Sequence, residues 1–364
     1  MKKIIHIITG LGSGGAENML YKILKNFDKQ NTYHEVISLT GKGVFGYKIE
    51  DLGIKIHYLN LNKNNLIKST IKMKNICKDF DIIDSWLYHA DFFSFIVGKI
   101  LLKKKLIWNI RHSNLDKDAN KSRTLKIVRL NSVLSKFVDL ITYNSNKAYS
   151  EHIKFGYSDK HSKIIPNGFE LNDFKFSKEE RVKIRKELNI NNEKVLITIG
   201  RWNIQKDYYT LLKALHDVSK TNISYKMIFI GTNLDYKNKE LVNLIKKYDL
   251  CNNVILLGRQ SNIPGYLSSA DIYISSSLGE SFSNSIGEAM ACELFCIVTD
   301  VGDSALIVGN TGIVIQPRNY KELSTEIVRL LEQKEISRSK ESRERILKEY
   351  DIKDISGLFL RNYI

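Results

Sequence analysis

Residues 7–20, IITGLGSGGAENML, hold the reading on which the fold turns. An apolar run ends at Gly10, Gly12 and Gly15, and a helix-like stretch follows at once. The spelling is G-x-G-x-x-G at a strand-to-helix turn, as in a dinucleotide-binding unit. Such a unit places Asp or Glu about 20 residues on, at the tip of its second strand, to hold a ribose. Here the second strand reads HEVISL, residues 34–39, and runs into Thr40, Gly41 and Lys42 with no acid. The dinucleotide reading lacks its confirming residue. Two readings remain: a tight turn in which glycine permits positive φ, or a helix start whose backbone N–H groups meet a phosphate or a sugar.

Outward from this turn, strand-like runs alternate with helical patterns. KIIHIIT, HEVISL, IKIHYL, DIIDSW, KLIWNI and LITYNS read as strands in the first half, with helices over 15–27 and 121–137. VLITIG (195–200), KMIFIG (226–231), NVILLG (253–258), DIYISS (271–276), CIVTD (296–300) and GIVIQ (312–316) repeat the pattern in the second. Alternation of this kind makes βαβ units with parallel sheets. The fold class is α/β, with two Rossmann-like domains in tandem. The expected division is 1–165, 166–347 and a C-terminal helix, 348–364, packing back on the first domain.

The 364 residues suit two cores rather than one. No apolar stretch reaches the roughly 18 residues that span a bilayer. The start, MKKIIHIITG, reads as a strand rather than a signal peptide. Cys77, Cys251, Cys292 and Cys296 are expected to be small core residues, with no zinc spacing among them. DFD at 79–81 reads as a helix-to-strand turn, and no metal is expected. The net charge is +16, unevenly spread: residues 1–165 hold 28 Lys and Arg against 14 Asp and Glu, and the rest hold 28 against 26. An acid-poor first half implies an anionic partner there, nucleic acid or membrane.

Five stretches then stand in order: GSGGAEN (12–18), WNIRHSN (108–114), IPNGFE (165–170), IGRWNIQKDY (199–208) and GESFSNSIGEAMACE (279–293). In order and spacing they resemble glycosyltransferase family 4, retaining enzymes of the GT-B fold, in which two Rossmann-like domains face each other across a cleft. The strongest match is the pair Glu280 and Glu288, spaced E-x7-E. The chain departs from the family in carrying Ser281–Phe282–Ser283 where Gly-Phe-Pro or similar often follows the first Glu.

The resemblance implies a set of roles. Arg201 and Lys206, just past a strand's C-terminal end, clamp a leaving diphosphate, as preorganised cations do best. Arg259, directly after NVILLG, joins the donor-binding set. Ser283 or Asn284 caps a helix start at which Phe282, Ser283, Asn284 and Ser285 offer backbone groups to phosphate and sugar. Glu280 meets the sugar hydroxyls near the reacting carbon and Glu288 holds the ribose. His112, at the end of KLIWNI, stands near the reacting bond. Gly14 and Gly15 admit the donor phosphates, and Glu17 either caps its loop or meets the acceptor. The catalytic set is His112, Glu280, Arg201 and Lys206. No cofactor is expected, because the nucleotide sugar is a substrate.

The expected activity is retaining transfer from a nucleotide-diphosphate sugar, a UDP-sugar in the first instance, to a lipid-diphosphate-linked glycan for O antigen or capsule. The expected location is cytoplasmic and peripheral, on the inner leaflet. A UDP-sugar epimerase of the same fold is the rival within the fold, and a basic nucleic-acid-binding protein the rival outside it. No helix-turn-helix, RNP or zinc pattern supports the second, so no nucleic-acid partner is expected. One segment, FFSFIVGKILLKKKLI (92–107), is expected as a helix. Phe92, Phe95, Ile96, Ile100 and Leu101 would form an apolar face, with Lys99 and Lys103–Lys105 near its end for an anionic membrane.

Overall fold

The run KKIIHII, rich in β-branched residues, forms an interior strand, third from one edge of a seven-stranded sheet and beside its middle strand. The computed structural model describes residues 1–27, 30–116 and 121–363. The chain divides into two units, Met1–Gly168 with Ile352–Ile364, and Phe169–Asp351.

The first unit runs β1 (Lys2–Ile8), α1 (Gly15–Asn26), β2 (Thr32–Ser38), α2 (Gly43–Glu50), β3 (Ile56–Tyr58), α3 (Leu66–Cys77), β4 (Ile82–Trp86), α4 (Tyr88–Phe95), a π turn (Ile96–Leu101), β5 (Lys105–Ile110), α5 (Ser122–Leu134) with a 3-10 extension (Ser135–Phe137), β6 (Leu140–Tyr143), α6 (Asn146–Phe155) and β7 (Ser162–Ile164). The second runs α7 (Lys178–Glu187), β8 (Lys194–Arg201), a 3-10 turn (Ile204–Lys206), α8 (Tyr208–Ser219), β9 (Tyr225–Thr232), α9 (Lys239–Lys247), β10 (Val254–Gly258), α10 (Ile263–Ser269), β11 (Ile272–Ser275), α11 (Asn284–Ala291), β12 (Phe295–Thr299), α12 (Ser304–Val308), β13 (Ile313–Ile315), α13 (Tyr320–Leu331) and α14 (Lys340–Tyr350). The last helix, α15 (Ile352–Tyr363), belongs to the first unit.

Among the described residues the sheets are seven-stranded, β3-β2-β1-β4-β5-β6-β7, and six-stranded, β10-β9-β8-β11-β12-β13. The ladders within both are parallel. Each reverses direction beside its first strand in chain order, and such switch points are where open α/β sheets bind ligands. In the first unit one sheet face packs against α1, α2 and α15, and the other against α3, α4 and α5. Both faces are covered, so the strands read as nearly continuous apolar runs.

The division falls a few residues past the expected 165 and 347. Arg111 Nη1 donates to the carbonyl of Ile165, and Ile165 is in the first core, so the chain up to Gly168 stays with that unit. Ile346 and Tyr350 of α14 lie in the second core, so only α15 returns. The strand β7, just before the expected division at 165, was not expected; it pairs with β6 through only three residues.

The 92–107 segment is not the single helix expected. It is α4, a π turn and the first strand residues of β5. A Cβ on Gly98 would stand 3.0 Å from Ile83 Cδ1, so the turn packs close on the sheet. Lys103 then takes φ +53° and the chain swings into β5. Phe95 is buried, Lys105 Nζ donates to the carbonyl of Asn362 in α15, and Ile100 and Leu101 are exposed. The cysteine expectation holds for Cys77, Cys292 and Cys296, whereas Cys251 is exposed.

Candidate active site

The second unit gathers its charged residues along the C-terminal ends of neighbouring strands. Arg201 ends β8 and pairs in register with Thr232 at the end of β9. Arg259, just past β10, donates from Nε to Thr232 Oγ1 at 2.9 Å. Three successive strand ends therefore carry Arg259, Thr232 and Arg201. Beyond β8, Asn203 caps the 3-10 turn by accepting from Gln205 N, and that turn delivers Lys206. Asp207 takes φ +46° and caps α8, accepting from Thr210 N.

Lys206 Nζ meets Glu280 Oε1 at 2.5 Å, with 21% and 14% of the two side chains exposed. Ser277 Oγ donates to the same carboxylate oxygen at 2.8 Å. The loop carrying Glu280 is pinned to the loop carrying Lys206. Leu278 N donates to Gln205 O at 2.7 Å, and Ser276 Oγ to the carbonyls of Lys206 and Asp207. Thr299 of β12 donates to Ser277 O at 2.6 Å. Gly302 takes φ +59°, and a Cβ there would stand 2.4 Å from the carbonyl oxygen of Glu280. Only glycine fits that approach. The pair is thus half-buried and held by backbone, the condition under which charges act with little reorganisation. Tyr208, beneath it, has its hydroxyl pKa pushed up, chiefly by burial and then by the charge of Glu280.

The carboxylate loop leads directly into α11. Ser283 is the N-cap residue, and its side chain makes no capping bond to the helix. Its Oγ lies 3.4 Å from Ser285 Oγ, which accepts from the Tyr273 hydroxyl at 2.8 Å. Phe282 turns its ring into the core, 6.1 Å from the ring of Phe169. Asn284, Ser285 and Glu288 are half-buried along the first turns. A Cβ on Gly287 would stand 2.1 Å from Phe169, which locks the helix onto the core.

In the first unit the strand ends carry different groups. Gly14 is the N-cap of α1, and Gly14 and Gly15 are exposed. Glu17 folds back over this loop. A Cβ on Gly14 would stand 2.4 Å from Glu17 Oε2, and one on Gly12 would stand 3.6 Å from Oε1. Burial raises the pKa of Glu17, opposed by a backbone hydrogen bond. Of the two roles left open for Glu17, this geometry is that of a loop cap. A Cβ on Gly10 would stand 2.6 Å from Thr40 Oγ1, and one on Gly43 2.1 Å from Leu11 O. Close packing between these loops is thus the local reason for Gly10 and Gly43.

His112 follows β5 and is half-buried. Near it lies a buried polar layer. His152 Nε2 lies 2.9 Å from the Tyr88 hydroxyl and its Nδ1 2.7 Å from the carbonyl of Ala148. Burial, and to a lesser degree the charge of His112, lowers the His152 pKa to about 4. Beside His112, Arg111 lies over Trp86 and Phe359, 5.0 and 5.1 Å from the ring centroids. Asp84, fully buried beneath, accepts from Trp86 Nε1, Asn109 and the Tyr363 hydroxyl and is bonded to His6 Nδ1.

Several residues here escape a reading of the sequence alone. Ser276, Ser277, Thr232 and Gly302 shape the charged edge, and the serine run SSSLGE before Glu280 is the one signal they leave. Leu87, at the end of β4, holds φ +74°, ψ 147°, a region nearly reserved for glycine. It delivers His89, half-buried, into the first turn of α4, with a pKa lowered by burial. Among the described residues no group of His, Cys, Asp or Glu is placed to hold a metal ion.

Residues 13–173 match the family described as Glycosyltransferase Family 4, and residues 180–350 match glycosyl transferases group 1. The capsular polysaccharide biosynthesis glycosyltransferase CapH of Staphylococcus aureus is 25% identical over 296 residues, 79% of each chain. A Campylobacter jejuni enzyme, N-acetylgalactosamine-N,N'-diacetylbacillosaminyl-diphospho-undecaprenol 4-alpha-N-acetylgalactosaminyltransferase, is 24% identical over 318 residues, 82% of this chain and 81% of its own. The solved structure of Anabaena HepE in complex with UDP superposes with a TM-score of 0.87 at 22% identity, covering 100% of this chain and 99% of that one. The two domain matches adjoin along nearly all the chain, and the architecture is shared from end to end. The chain therefore belongs to glycosyltransferase family 4, with the two Rossmann-like domains of the GT-B fold.

Proposed function

We propose that this glycosyltransferase moves a sugar, with retention, from a UDP-sugar to a lipid-diphosphate-linked glycan in polysaccharide synthesis. The observation that carries the reading is the half-buried Lys206–Glu280 pair at the strand ends that also carry Arg201 and Arg259. In this reading Arg201 and Lys206 neutralise the leaving diphosphate, with no metal required, and Arg259 and the N-terminal turn of α11 hold the rest of the donor. Glu280 meets the sugar hydroxyls and Glu288 the ribose. The second unit binds donor. The first binds acceptor, with Gly14 and Gly15 close to the phosphates and His112 near the reacting bond.

The bond from the sugar's anomeric carbon to the diphosphate oxygen breaks, and the acceptor hydroxyl oxygen bonds to that carbon on the same face. Its proton passes to the departing diphosphate. HepE, solved with UDP and with UDP-glucose, supports the donor class, and the diphospho-undecaprenol substrate in the name of the C. jejuni relative supports a lipid-linked acceptor. Among the described residues no helix is long and apolar enough to cross a membrane. The proposed place of action is the inner leaflet, reached by peripheral contact through the basic first unit.

The test is release of nucleoside diphosphate from a panel of UDP- and GDP-sugars with lipid diphosphate acceptors, with and without a chelator. Mass spectrometry and anomeric NMR would follow on the product. Acceptor-dependent UDP release, chelator-insensitive and with the donor anomer preserved, is expected. Conversion of a UDP-sugar to its epimer without UDP release would overturn the reading.

A further inference from the structure

The first sheet reverses its strand order between β1 and β4, so its ligand crevice opens between the C-terminal ends of those two strands. The ends lie level, for Ile8 pairs in register with Trp86. One side of the crevice is the glycine loop after β1. The other is the turn from β4 into α4, Leu87–Tyr88–His89, which the proposed transfer does not use. Leu87 sits there at φ +74°, ψ 147°. Backbone strain of this kind persists only where the surroundings impose it, and it gathers at binding sites.

What imposes it is a set of bonds on either side of His89. Tyr88 is buried, and its hydroxyl lies 2.9 Å from His152 Nε2 in α6. His152 Nδ1 faces the carbonyl of Ala148, which can only accept, so Nδ1 holds the ring proton and the Tyr88 hydroxyl donates to Nε2. Asn131 of α5 donates from Nδ2 to the carbonyl of Tyr88 at 2.9 Å. Ala90 N donates to Thr9 Oγ1 at 3.4 Å, which ties the turn to the loop after β1. Asp91, fully buried, accepts from Ser85 Oγ at 2.8 Å. Groups from α5, α6, β4 and the loop after β1 thus fix the residues before and after His89.

His89 itself is left over. The rings of His6, His34, His57, His152 and His216 all have bonded nitrogens. The half-buried His89 ring makes no hydrogen bond, ion pair or ring contact among the described residues, and both its nitrogens reach the surface. Burial lowers its pKa, so at neutral pH the ring is uncharged, with one N–H and one bare lone pair. A charged ring would suit a phosphate. An uncharged one suits a hydroxyl, whose hydrogen the lone pair takes. We propose that His89 is an acceptor-binding residue, which takes a hydrogen bond from one hydroxyl of the acceptor sugar and so fixes that sugar's orientation. The proposal deepens the reading of the first unit as the acceptor side, and rests on it.

The test uses the full chain with the panel of sugar nucleotides and lipid diphosphate acceptors, read in two ways. In turnover, His89→Ala should raise KM for the acceptor about tenfold, while KM for the donor and the affinity for UDP stay within about twofold. His89→Leu, which keeps bulk without a lone pair, should match it, and His89→Gln, whose carbonyl oxygen accepts, should recover most of the loss. Acceptors with one sugar hydroxyl replaced by hydrogen complete the cycle. One of them should be poor for the wild type yet no worse than the parent acceptor for His89→Ala. In binding, the histidine ring nitrogen signals of the UDP-bound protein are followed by NMR as each acceptor is added, with His89 assigned by its absence from His89→Gln. A shift at His89 is expected with at least one acceptor. Circular dichroism melting shows that the variants fold. The proposal is overturned by an acceptor KM unchanged in His89→Ala and His89→Leu, by an equal loss of donor affinity, by deoxy acceptors discriminated equally by wild type and His89→Ala, or by no ring shift with any acceptor. A ring shift without diphosphate release would sink the transferase reading and leave His89 as a glycan-binding residue.

Discussion

At the strand ends of the second unit stand Arg201, Lys206 and Arg259, with Lys206 paired to Glu280 and Arg259 bonded to Thr232. At the strand ends of the first stand Gly14, Gly15, Glu17 and His112, while Arg111 is turned inward onto Trp86 and Phe359. Yet the first unit's half of the chain is the basic one, and the second's is nearly balanced. Net charge therefore does not point to the Lys206–Glu280 pair. The second unit spends few charges and fixes them with backbone, through the Asn203 cap, the Ser276 bonds and the close approach of Gly302. The first spreads its charge over exposed positions, such as Lys68 and Lys72 of α3. A site needs preorganised charge, whereas a surface needs only an excess.

The sharpest way to break this contrast is to remove one cation from the clamp. Lys206→Ala and Arg201→Ala should each lower turnover by about a hundredfold or more, a loss near 3 kcal/mol, read as diphosphate release. Lys42→Ala in the first unit, which removes a half-exposed ion pair with Glu50, should leave turnover nearly unchanged. Near-normal rates for both clamp variants would move the donor site elsewhere.

Acid should separate the units next. Seven of the eight histidines lie in the first. Burial depresses His152 to about 4, and burial with the nearby His6 depresses His34 to about 2. An unfolded histidine, at its ordinary value near 6.5, binds a proton that the folded one refuses. The stability these neutral rings contribute is complete above that value and is lost as pH falls toward the folded values. For His152 the window is about pH 6.5 to 4, worth roughly 3 kcal/mol. Hydrogen exchange from pH 7 to 5 should show the first unit loosening before the second. His152→Asn should flatten that dependence, and equal acid sensitivity of the two units would refute the difference.

The smallest expected effect lies at Glu288. Glu288→Gln should weaken UDP binding about tenfold, near 1.4 kcal/mol, with little change in melting temperature. Calorimetry with UDP decides it. Unchanged affinity with a large fall in melting temperature would make Glu288 a structural residue of α11.

Strands long enough to show an apolar run were legible throughout, because both faces of each sheet are covered and the runs are continuous. β7 was not, for its three residues, SKI, hold a single apolar side chain. The ordered motifs located the charged edge, but the residues that hold it are serines, a threonine and a glycine whose roles depend on contacts between loops far apart in the chain. The 92–107 segment shows the limit of periodicity. Its apolar residues fit one helical face, yet Gly98 packs on β4 and Lys103 redirects the backbone, so Phe95 goes in while Ile100 stays out. Leu87 shows another, since no pattern of residue types announces a leucine in a glycine-like conformation.

The Tyr363 hydroxyl donates to Asp84 at 2.9 Å, and Phe359 stacks on Trp86, 5.8 Å between centroids. These partners join the centre of the first unit to a helix that follows the whole second unit in chain order. On the ribosome the usual sequence of events, first domain first, is therefore inverted. The second unit has all its residues available before α15 has been made, and the first must wait with Trp86 uncovered and Asp84 short of one donor. A nascent chain of this kind exposes apolar surface for as long as its neighbour takes to be translated. A transient need for chaperones during synthesis is the expected consequence.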